Sequence, residues 1–93
     1  MVKDKSDIIE DLLGSKARVS ILRILALNSE LSLTQIIQKT KLNYNSVLKH
    51  LHYLKSINFI QEKKFGRIKI YRYKIEDKRA SSFRDFLNVW EAD

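Results

Sequence analysis

The sequence predicts a mainly α-helical single domain that contains one small β-hairpin. Apolar residues recur with helical spacing over most of the chain, and this spacing changes to alternation only between residues 59 and 75. The two glycines, Gly14 and Gly66, fall where a helix should end in a left-handed conformation and where the hairpin should turn. A chain of 93 residues has room for one hydrophobic core, so we expect residues 1–93 to form a single domain.

Two helices are expected before the first polar turn. The first covers residues 6–13, with Ser6 as its cap, and the second covers residues 16–27, with Ser15 as its cap. The second helix is apolar nearly all round and should therefore occupy the centre of the core. Arg18 and Arg23 interrupt its apolar surface, so each should reach solvent or a phosphate.

A helix-turn-helix is expected in the middle of the chain. After a short strand, the third helix covers residues 33–40, and the pair Ser32 and Gln35 fits a capping box at its start. Leu42 in the following linker should face the core, and Asn43 should cap a fourth helix. Two short helices joined this tightly are typical of a helix-turn-helix, in which the second is the recognition helix.

The fourth helix has an apolar stripe and a polar side. The stripe consists of Val47, Leu48, Leu51 and Leu54. The polar side has hydrogen-bonding groups, cations and aromatic rings but no carboxylate, as a helix in the DNA major groove requires. Its residues are Tyr44, Asn45, Ser46, Lys49, His50, His52 and Tyr53. An ordinary solvated helix face remains the alternative interpretation of this pattern.

A basic hairpin should follow the recognition helix. Residues 59–65 and 68–75 alternate in polarity around Gly66, and the inward side should carry Tyr71, Tyr73 and Ile75. Ile68 and Ile70 have the opposite parity, which predicts a bulge or a strong twist near the tip. The cations expected to contact phosphates or the minor groove are Lys63, Lys64, Arg67, Lys69 and Arg72. The alternative is a solvated edge hairpin that lysines protect from further pairing.

The positive charge is concentrated in the centre of the chain. Residues 14–75 contain thirteen Lys or Arg and two acidic residues, whereas residues 1–13 and 76–93 each carry a net charge of −2. This distribution is typical of a module that binds a polyanion. A membrane surface fits less well, because the cations do not lie on one strongly amphipathic helix.

The terminal helices are predicted to pair two copies of the chain. Asp77 should cap a last helix, and residues 6–13 and 77–91 are the expected dimerisation elements. The last helix has more large apolar groups than one side of it can hide, and an exposed patch of that kind usually marks an interface. The predicted interface residues are Ile8, Leu12, Phe83, Phe86, Leu87 and Trp90. The alternative is a last helix that folds back as a lid on its own core.

Several segments resemble ArsR-type winged-helix repressors. The opening motif lies at residues 13–22 (LGSKARVSIL), the recognition helix at 47–51 (VLKHL) and the wing at 66–73 (GRIKIYRY). Residues 42–47 (LNYNSV) also resemble small archaeal winged-helix proteins. The resemblance covers roughly residues 8–76 and implies a winged helix-turn-helix homodimer that regulates transcription, with terminal helices that pair. It places Tyr44, Asn45, Ser46, Lys49 and His50 at the DNA-contacting positions. Leu48 departs from the family, which often has a polar residue there.

Composition argues against the other classes of function. Cys is absent, so the thiolate metal sensor of the family does not carry over, and His50 and His52 are too close in sequence to chelate one ion from a helix. No Ser lies in a Gly-containing nucleophile elbow, and two glycines do not make a phosphate-binding loop. We therefore expect no catalysis, no cofactor and no metal. With no long apolar run and no signal peptide at its start, the chain is expected to be cytoplasmic.

Together these patterns predict a partner and a role. The expected partner is double-stranded DNA, bound sequence-specifically by a homodimeric transcriptional regulator that represses by occlusion. An architectural chromatin protein with little sequence preference is one alternative. A winged-helix module whose basic face binds an acidic protein is another.

Overall fold

The computed structural model describes the backbone of residues 5–92 and the side chains of residues 8–92. The predicted mainly helical fold with a small antiparallel sheet is confirmed. Its elements are α1 (Lys5–Leu13), α2 (Lys16–Asn28), β1 (Glu30–Ser32), α3 (Leu33–Thr40), α4 (Tyr44–Ser56), β2 (Ile60–Phe65), β3 (Ile68–Tyr73) and α5 (Lys78–Glu91). The predicted capping side chain of Ser6 lies outside the described residues. Within residues 5–92, no helix has the length and apolar character needed to cross a membrane.

The predicted caps fix where the later helices begin. The side chains of Ser15 and Asn43 accept hydrogen bonds from backbone N–H groups in the first turns of α2 and α4. Ser32 and Gln35 form the reciprocal capping box at the start of α3, and the Asp77 carboxylate caps α5. Each cap satisfies donors that have no partner inside the helix. The start of the helix-turn-helix therefore follows from local sequence.

The sheet has the strand order β1-β3-β2, and both pairings are antiparallel. The pairing of β2 with β3 is unbroken from Ile60 opposite Tyr73 to Phe65 opposite Ile68. Of the predicted bulge or strong twist, the bulge is therefore wrong, and the parity of Ile68 instead places it on the outer side of the hairpin, where 56% of its surface stays exposed. The inward placement of Ile75 is also wrong, because β3 ends at Tyr73 and Ile75 lies in the turn before α5.

Helix α2 is the centre of the core, as its apolar surface predicts. It contacts α1, α3, α4, α5 and strands β1 and β3. The largest side chains with almost no exposed surface are Ile21, Leu22, Leu25, Ile36, Val47, Leu51, Leu54, Tyr71 and Tyr73. Leu42 packs against this core from the α3–α4 linker, as expected. The core thus holds α3, α4 and the hairpin on one scaffold.

Gly14 separates α1 from α2 for a reason that the sequence did not indicate. Among the glycines only Gly66 has a positive φ, of 61°, so the predicted left-handed conformation of Gly14 is wrong. A Cβ atom at Gly14 would lie 2.6 Å from the carbonyl oxygen of Glu10. The turn therefore requires glycine because the backbone approaches too closely for any side chain.

Candidate nucleic-acid interface

Helix α4 presents a polar side to solvent. Asn45, Lys49 and His52 are exposed, and Ser46 is half-buried. Tyr44 in the first turn is 52% exposed. The Asn43 cap fixes the direction of this first turn, because its Oδ1 atom accepts from the Ser46 N–H at 2.8 Å. The side chains that could hydrogen-bond to base edges thus project from a rigid helix start.

His50 is not on that polar side. It is 7% exposed, and the Arg18 Nε–H donates to its Nδ1 atom at 3.2 Å. The placement by residue type was wrong because residue 50 is three positions after Val47 and one before Leu51, on the buried side of the helix. Its neighbours in space are core residues and Arg18.

Arg18 joins three helices at this point. Besides His50 on α4, its guanidinium donates to the Asp11 carbonyl oxygen on α1 at 2.7 Å and lies over the Tyr53 ring, 3.8 Å from the centroid. The Tyr53 hydroxyl donates to the Ile8 carbonyl oxygen at 3.5 Å. The predicted outward placement of Tyr53 is therefore wrong, as is the expectation that Arg18 reaches solvent or a phosphate. Arg23, in contrast, is exposed and pairs with Glu91.

The pKa of His50 lies below its ordinary value. Burial disfavours the imidazolium form, and the nearby positive charges of Arg18 and Lys49 act in the same direction. The Nδ1 atom can accept the bond from Arg18 only while it carries no proton. The neutral imidazole is thus the form that holds α4 to α2.

The hairpin contains one acidic residue, and a nearby lysine balances its negative charge. The Glu62 carboxylate accepts hydrogen bonds from the Lys55 ammonium at 3.1 Å and the Tyr71 hydroxyl at 3.2 Å. The bond from Lys55 holds the pKa of Glu62 below its usual range. Burial raises the pKa of Tyr71, so its hydroxyl remains a donor. Glu62 therefore opposes an approaching phosphate much less than a free carboxylate would.

Two clefts lie between α4 and the hairpin. The first has a volume of about 430 Å³, and its lining includes Tyr44, Arg67, Ile68 and Lys69, together with Ser32 and Thr34 at the start of α3. The second, of about 210 Å³, lies between the outer side of α4 and the hairpin, and its lining includes His52 and Lys69. The contribution of the start of α3 to the first cleft was not predicted from the sequence. The capping box there was the signal that could have indicated it.

The cations of the hairpin differ in how free they are. Lys64 and Arg67, like Lys49 on α4, make no ion pair with any residue whose side chain the structure describes. Lys63 lies 3.4 Å from Glu30 in an exposed pair. Among the predicted cations of the hairpin, Lys64 and Arg67, which make no ion pair with a described side chain, lie at or near the tip.

Arg72 is the most firmly held of the predicted hairpin cations. Its guanidinium donates to both carboxylate oxygens of Glu76, at 3.1 and 2.7 Å, and to Gln61. This pairing lowers the pKa of Glu76 to about 2. Binding a phosphate would require Arg72 to leave a carboxylate that it already binds with two hydrogen bonds.

The six residues predicted for a dimer interface divide into three pairs: one lies in the core, one is exposed, and one lines a groove. Leu12 and Leu87 are each 6% exposed and belong to the core of their own chain, so their placement at an open surface was wrong. Phe86 and Trp90 are 55% and 75% exposed, and their rings stack with centroids 5.8 Å apart. Three further apolar residues that the prediction missed are also exposed: Ile9 and Leu13 on α1 and Val89 on α5.

A groove runs between α1 and α5 beside this surface. It has a volume of about 540 Å³, and its apolar lining includes Ile8, Leu13, Phe59 and Phe83. Ile8 and Phe83, both predicted interface residues, are partly buried in it. The apolar surface of the terminal helices is thus continuous with a concave region.

No group of three or more His, Asp or Glu that could hold a metal ion occurs in the part of the chain that the structure describes.

Solved structures with the same architecture come from several bacteria. HlyU from Vibrio cholerae superimposes with a TM-score of 0.79 at 18% identity, covering 96% of this chain and 94% of that one. The transcriptional repressor PagR of Bacillus anthracis gives 0.72 at 22% identity, with coverages of 89% and 91%. An ArsR-family transcriptional regulator gives 0.65 at 18% identity and covers 100% and 99%. The chain has the winged helix-turn-helix fold. No family model and no curated protein sequence matches it.

The winged-helix fold assigns a position to each part of the candidate interface. Helices α3 and α4 are the helix-turn-helix, and the hairpin of β2 and β3 is the wing. The resemblance to ArsR-type proteins that the sequence motifs indicate is confirmed at the level of the fold. In this arrangement the outer side of α4, the start of α3 and the tip of the wing lie on one continuous surface.

Proposed function

We propose that the protein is a sequence-specific, double-stranded DNA-binding transcriptional regulator, which acts as a homodimeric repressor by occluding its site. The observation that carries this proposal is the polar side of α4, with Asn45, Ser46 and Lys49, next to Lys64 and Arg67 of the wing, which pair with no acidic side chain that the structure describes. Structural neighbours described as a transcriptional repressor and as an ArsR-family regulator support it. The proposed role involves neither catalysis nor a cofactor.

Helix α4 enters the major groove in this proposal. The Asn45 amide can donate and accept at an adenine edge, the Ser46 hydroxyl can bond to any base, and Lys49 can donate to guanine. Tyr44 and His52 lie at either end of the same surface and contact the backbone. His50 and Tyr53 are left out, because their polar atoms bond to α2 and α1.

The wing holds the phosphate backbone. Lys64, Arg67 and Lys69 supply the charge, and Lys63 can exchange its exposed pair with Glu30 for a phosphate at little cost. Arg72 is left out of this set, because Glu76 binds it with two hydrogen bonds. Such contacts set affinity and register, whereas α4 sets the preference for a sequence.

The dimer forms through α1 and α5. The exposed Phe86, Val89 and Trp90 would be covered by the same region of a second copy, with Ile8 and Phe83 lining the adjacent groove. These terminal segments each carry −2, so they meet without the repulsion that the central charge of +11 would cause. The two α4 helices would then face outward, about 34–36 Å apart for successive major grooves.

Selection of bound fragments from random double-stranded DNA tests this function. We expect a palindromic motif with two half-sites separated by one helical turn. Retention of DNA without an enriched motif would instead favour an architectural protein. Absence of retention at moderate salt would reject DNA binding and favour the module for an acidic protein.

A further inference from the structure

The tip of the wing carries two large apolar side chains in the open. Phe65 and Ile68 lie directly opposite each other across the turn formed by Gly66 and Arg67, and they are 60% and 56% exposed. A hairpin tip normally carries polar residues, because apolar groups gain nothing from exposure to water. This pair therefore requires an explanation other than the stability of the chain.

The pair cannot reach the core of its own protein. Residues paired directly opposite each other project from the same side of a sheet. The pairs Ile60–Tyr73 and Glu62–Tyr71 project towards the core, where both tyrosines are buried. Phe65 and Ile68, an odd number of positions further along each strand, project from the opposite side. Their exposure thus follows from the register.

The charges around the pair indicate what kind of molecule could cover it. Lys64 and Lys69, the next opposite pair along the hairpin, project from the other side of it, and Arg67 is in the turn itself, so cations flank the apolar pair. Glu62, the acid of the hairpin, is already bound by Lys55 and Tyr71. An apolar surface of a second protein would have to be brought beside these three charges. A duplex offers both required chemistries, because its minor groove has apolar sugar and base faces between two rows of phosphates.

We propose that Phe65 and Ile68 form an apolar wedge that enters the minor groove and partly unstacks a base step. Lys64, Arg67 and Lys69 hold the phosphates on either side, and the duplex bends towards its major groove, where α4 lies. The wedge rests on the proposed DNA binding and adds deformation of the duplex to it. Flexible steps such as TpA deform at the lowest cost, so they are the expected point of entry.

Two measurements on defined duplexes test the wedge. The first probe is a duplex of alternating A·T pairs with 2-aminopurine at one TpA step, whose fluorescence rises when the base unstacks. The second is ligase-catalysed ring closure of a linear duplex of about 100 bp, which is shorter than the persistence length of about 150 bp and closes poorly unless a protein bends it. Both are read at saturating protein, so that a change in affinity does not affect the result.

The variant is Phe65→Ala/Ile68→Ala, and the control is Ile75→Ala. Ile75 is 45% exposed but lies outside the hairpin, so the control removes a comparable exposed apolar group. Because all three side chains are exposed, the variants should melt like the wild type, which circular dichroism checks. We expect wild type and Ile75→Ala to raise the fluorescence several-fold and to promote ring closure. The double variant should bind both duplexes but should neither raise the fluorescence nor promote ring closure.

The outcomes separate the wedge from the proposed function. A wild type that binds both duplexes without unstacking or bending them overturns the wedge and leaves DNA binding intact. A double variant that unstacks and bends DNA like the wild type overturns it as well. A wild type that binds neither duplex but retains poly-glutamate overturns both proposals in favour of an acidic protein partner.

Discussion

Helices α4 and α5 have almost the same length, 13 and 14 residues, yet the solvent side of α5 carries a cluster of large apolar groups that the solvent side of α4 lacks. Helix α4 exposes Asn45, Lys49 and His52, whereas α5 exposes Phe86 and Trp90. Both helices bury one side in the same core. The difference teaches that packing in the core explains only the buried side of each helix. The exposed side indicates the partner, which is polar and charged for α4 and apolar for α5.

Introducing charge on α5 should have the largest effect. The variant Phe86→Glu/Trp90→Glu should be monomeric, because a dimer would have to remove each carboxylate from water at a cost of several kcal/mol per charge. Sedimentation equilibrium measures the association constant, and Gln38→Glu, at an exposed position of α3, is the control. A wild type that stays monomeric at micromolar concentration would reject the dimer. A dimer that tolerates both charges would place the interface elsewhere.

Removing the buried side of α4 should have the next largest effect. Leu51 is 1% exposed, so Leu51→Ala should lower the free energy of unfolding by about 2–5 kcal/mol through lost contacts and a cavity. Leu48→Ala, on the half-buried border of the same helix, should lower it clearly less. Urea denaturation measures both values. Equal losses would show that the two sides of α4 have been assigned incorrectly.

Removing polar groups from the outer side of α4 and from the wing should distinguish two kinds of contact. Asn45→Ala should cost about 1–3 kcal/mol of binding to the selected sequence and little on random DNA. Arg67→Ala should weaken binding to both DNAs similarly and reduce the salt dependence by about one phosphate contact. Fluorescence anisotropy titrations at several salt concentrations measure both. If Asn45→Ala weakens binding to both DNAs equally, Asn45 does not read a base.

Acidification should have the smallest effect. It should lower the stability of the protein through His50, on the buried side of α4. The unfolded chain takes up a proton on His50 near the ordinary pKa of 6.5, whereas the folded chain does so only at lower pH. In that window the unfolded state binds more protons, so stability is lost as the pH falls from 6.5 towards the lowered pKa. The variant His50→Gln, whose amide oxygen can still accept from Arg18, should lack this loss.

Thermal melts between pH 7 and pH 5 measure the difference between the two proteins. The carboxylates with lowered pKa values lose their contribution only below their ordinary value of 4.5 or less, outside this window. His52→Gln, at an exposed position of the same helix, is the matched control and should keep the wild-type slope. A wild-type slope in His50→Gln would assign the effect to another group.

Local signals in the sequence predicted most of the fold. The caps Ser15, Ser32, Asn43 and Asp77 each act within three or four residues, so the start of a helix can be recognised without knowing what packs on it. The turn at Gly66 is equally local, since two strands with a two-residue connection leave one register. The positions of α3, α4 and the wing, and therefore of the candidate interface, followed from these signals.

The errors came from residues whose environment depends on distant parts of the chain. His50 was placed outside because it is polar, but its bonding partner Arg18 is 32 residues away, and no local pattern indicates that pair. Leu12 and Leu87 were assigned to the dimer interface because they are apolar. Apolar character alone does not show whether a side chain packs in the core of its own chain or against a second copy. Residue type predicts that a group needs a partner, whereas only the packing decides where the partner is.

The Arg18–His50 bond also has an evolutionary consequence. A donor and an acceptor that meet inside the protein are each costly to keep once the other is gone. We expect positions 18 and 50 to change together among related sequences: an apolar residue at 50 should accompany a shorter or apolar residue at 18. Lineages that lose both would also lose the bond from this guanidinium to the Asp11 carbonyl oxygen, whereas the bond from Tyr53 to the Ile8 carbonyl oxygen would still join α4 to α1. Paired substitution at these two sites would therefore mark descendants in which fewer hydrogen bonds hold the terminal helix α1 and the recognition helix α4 to α2.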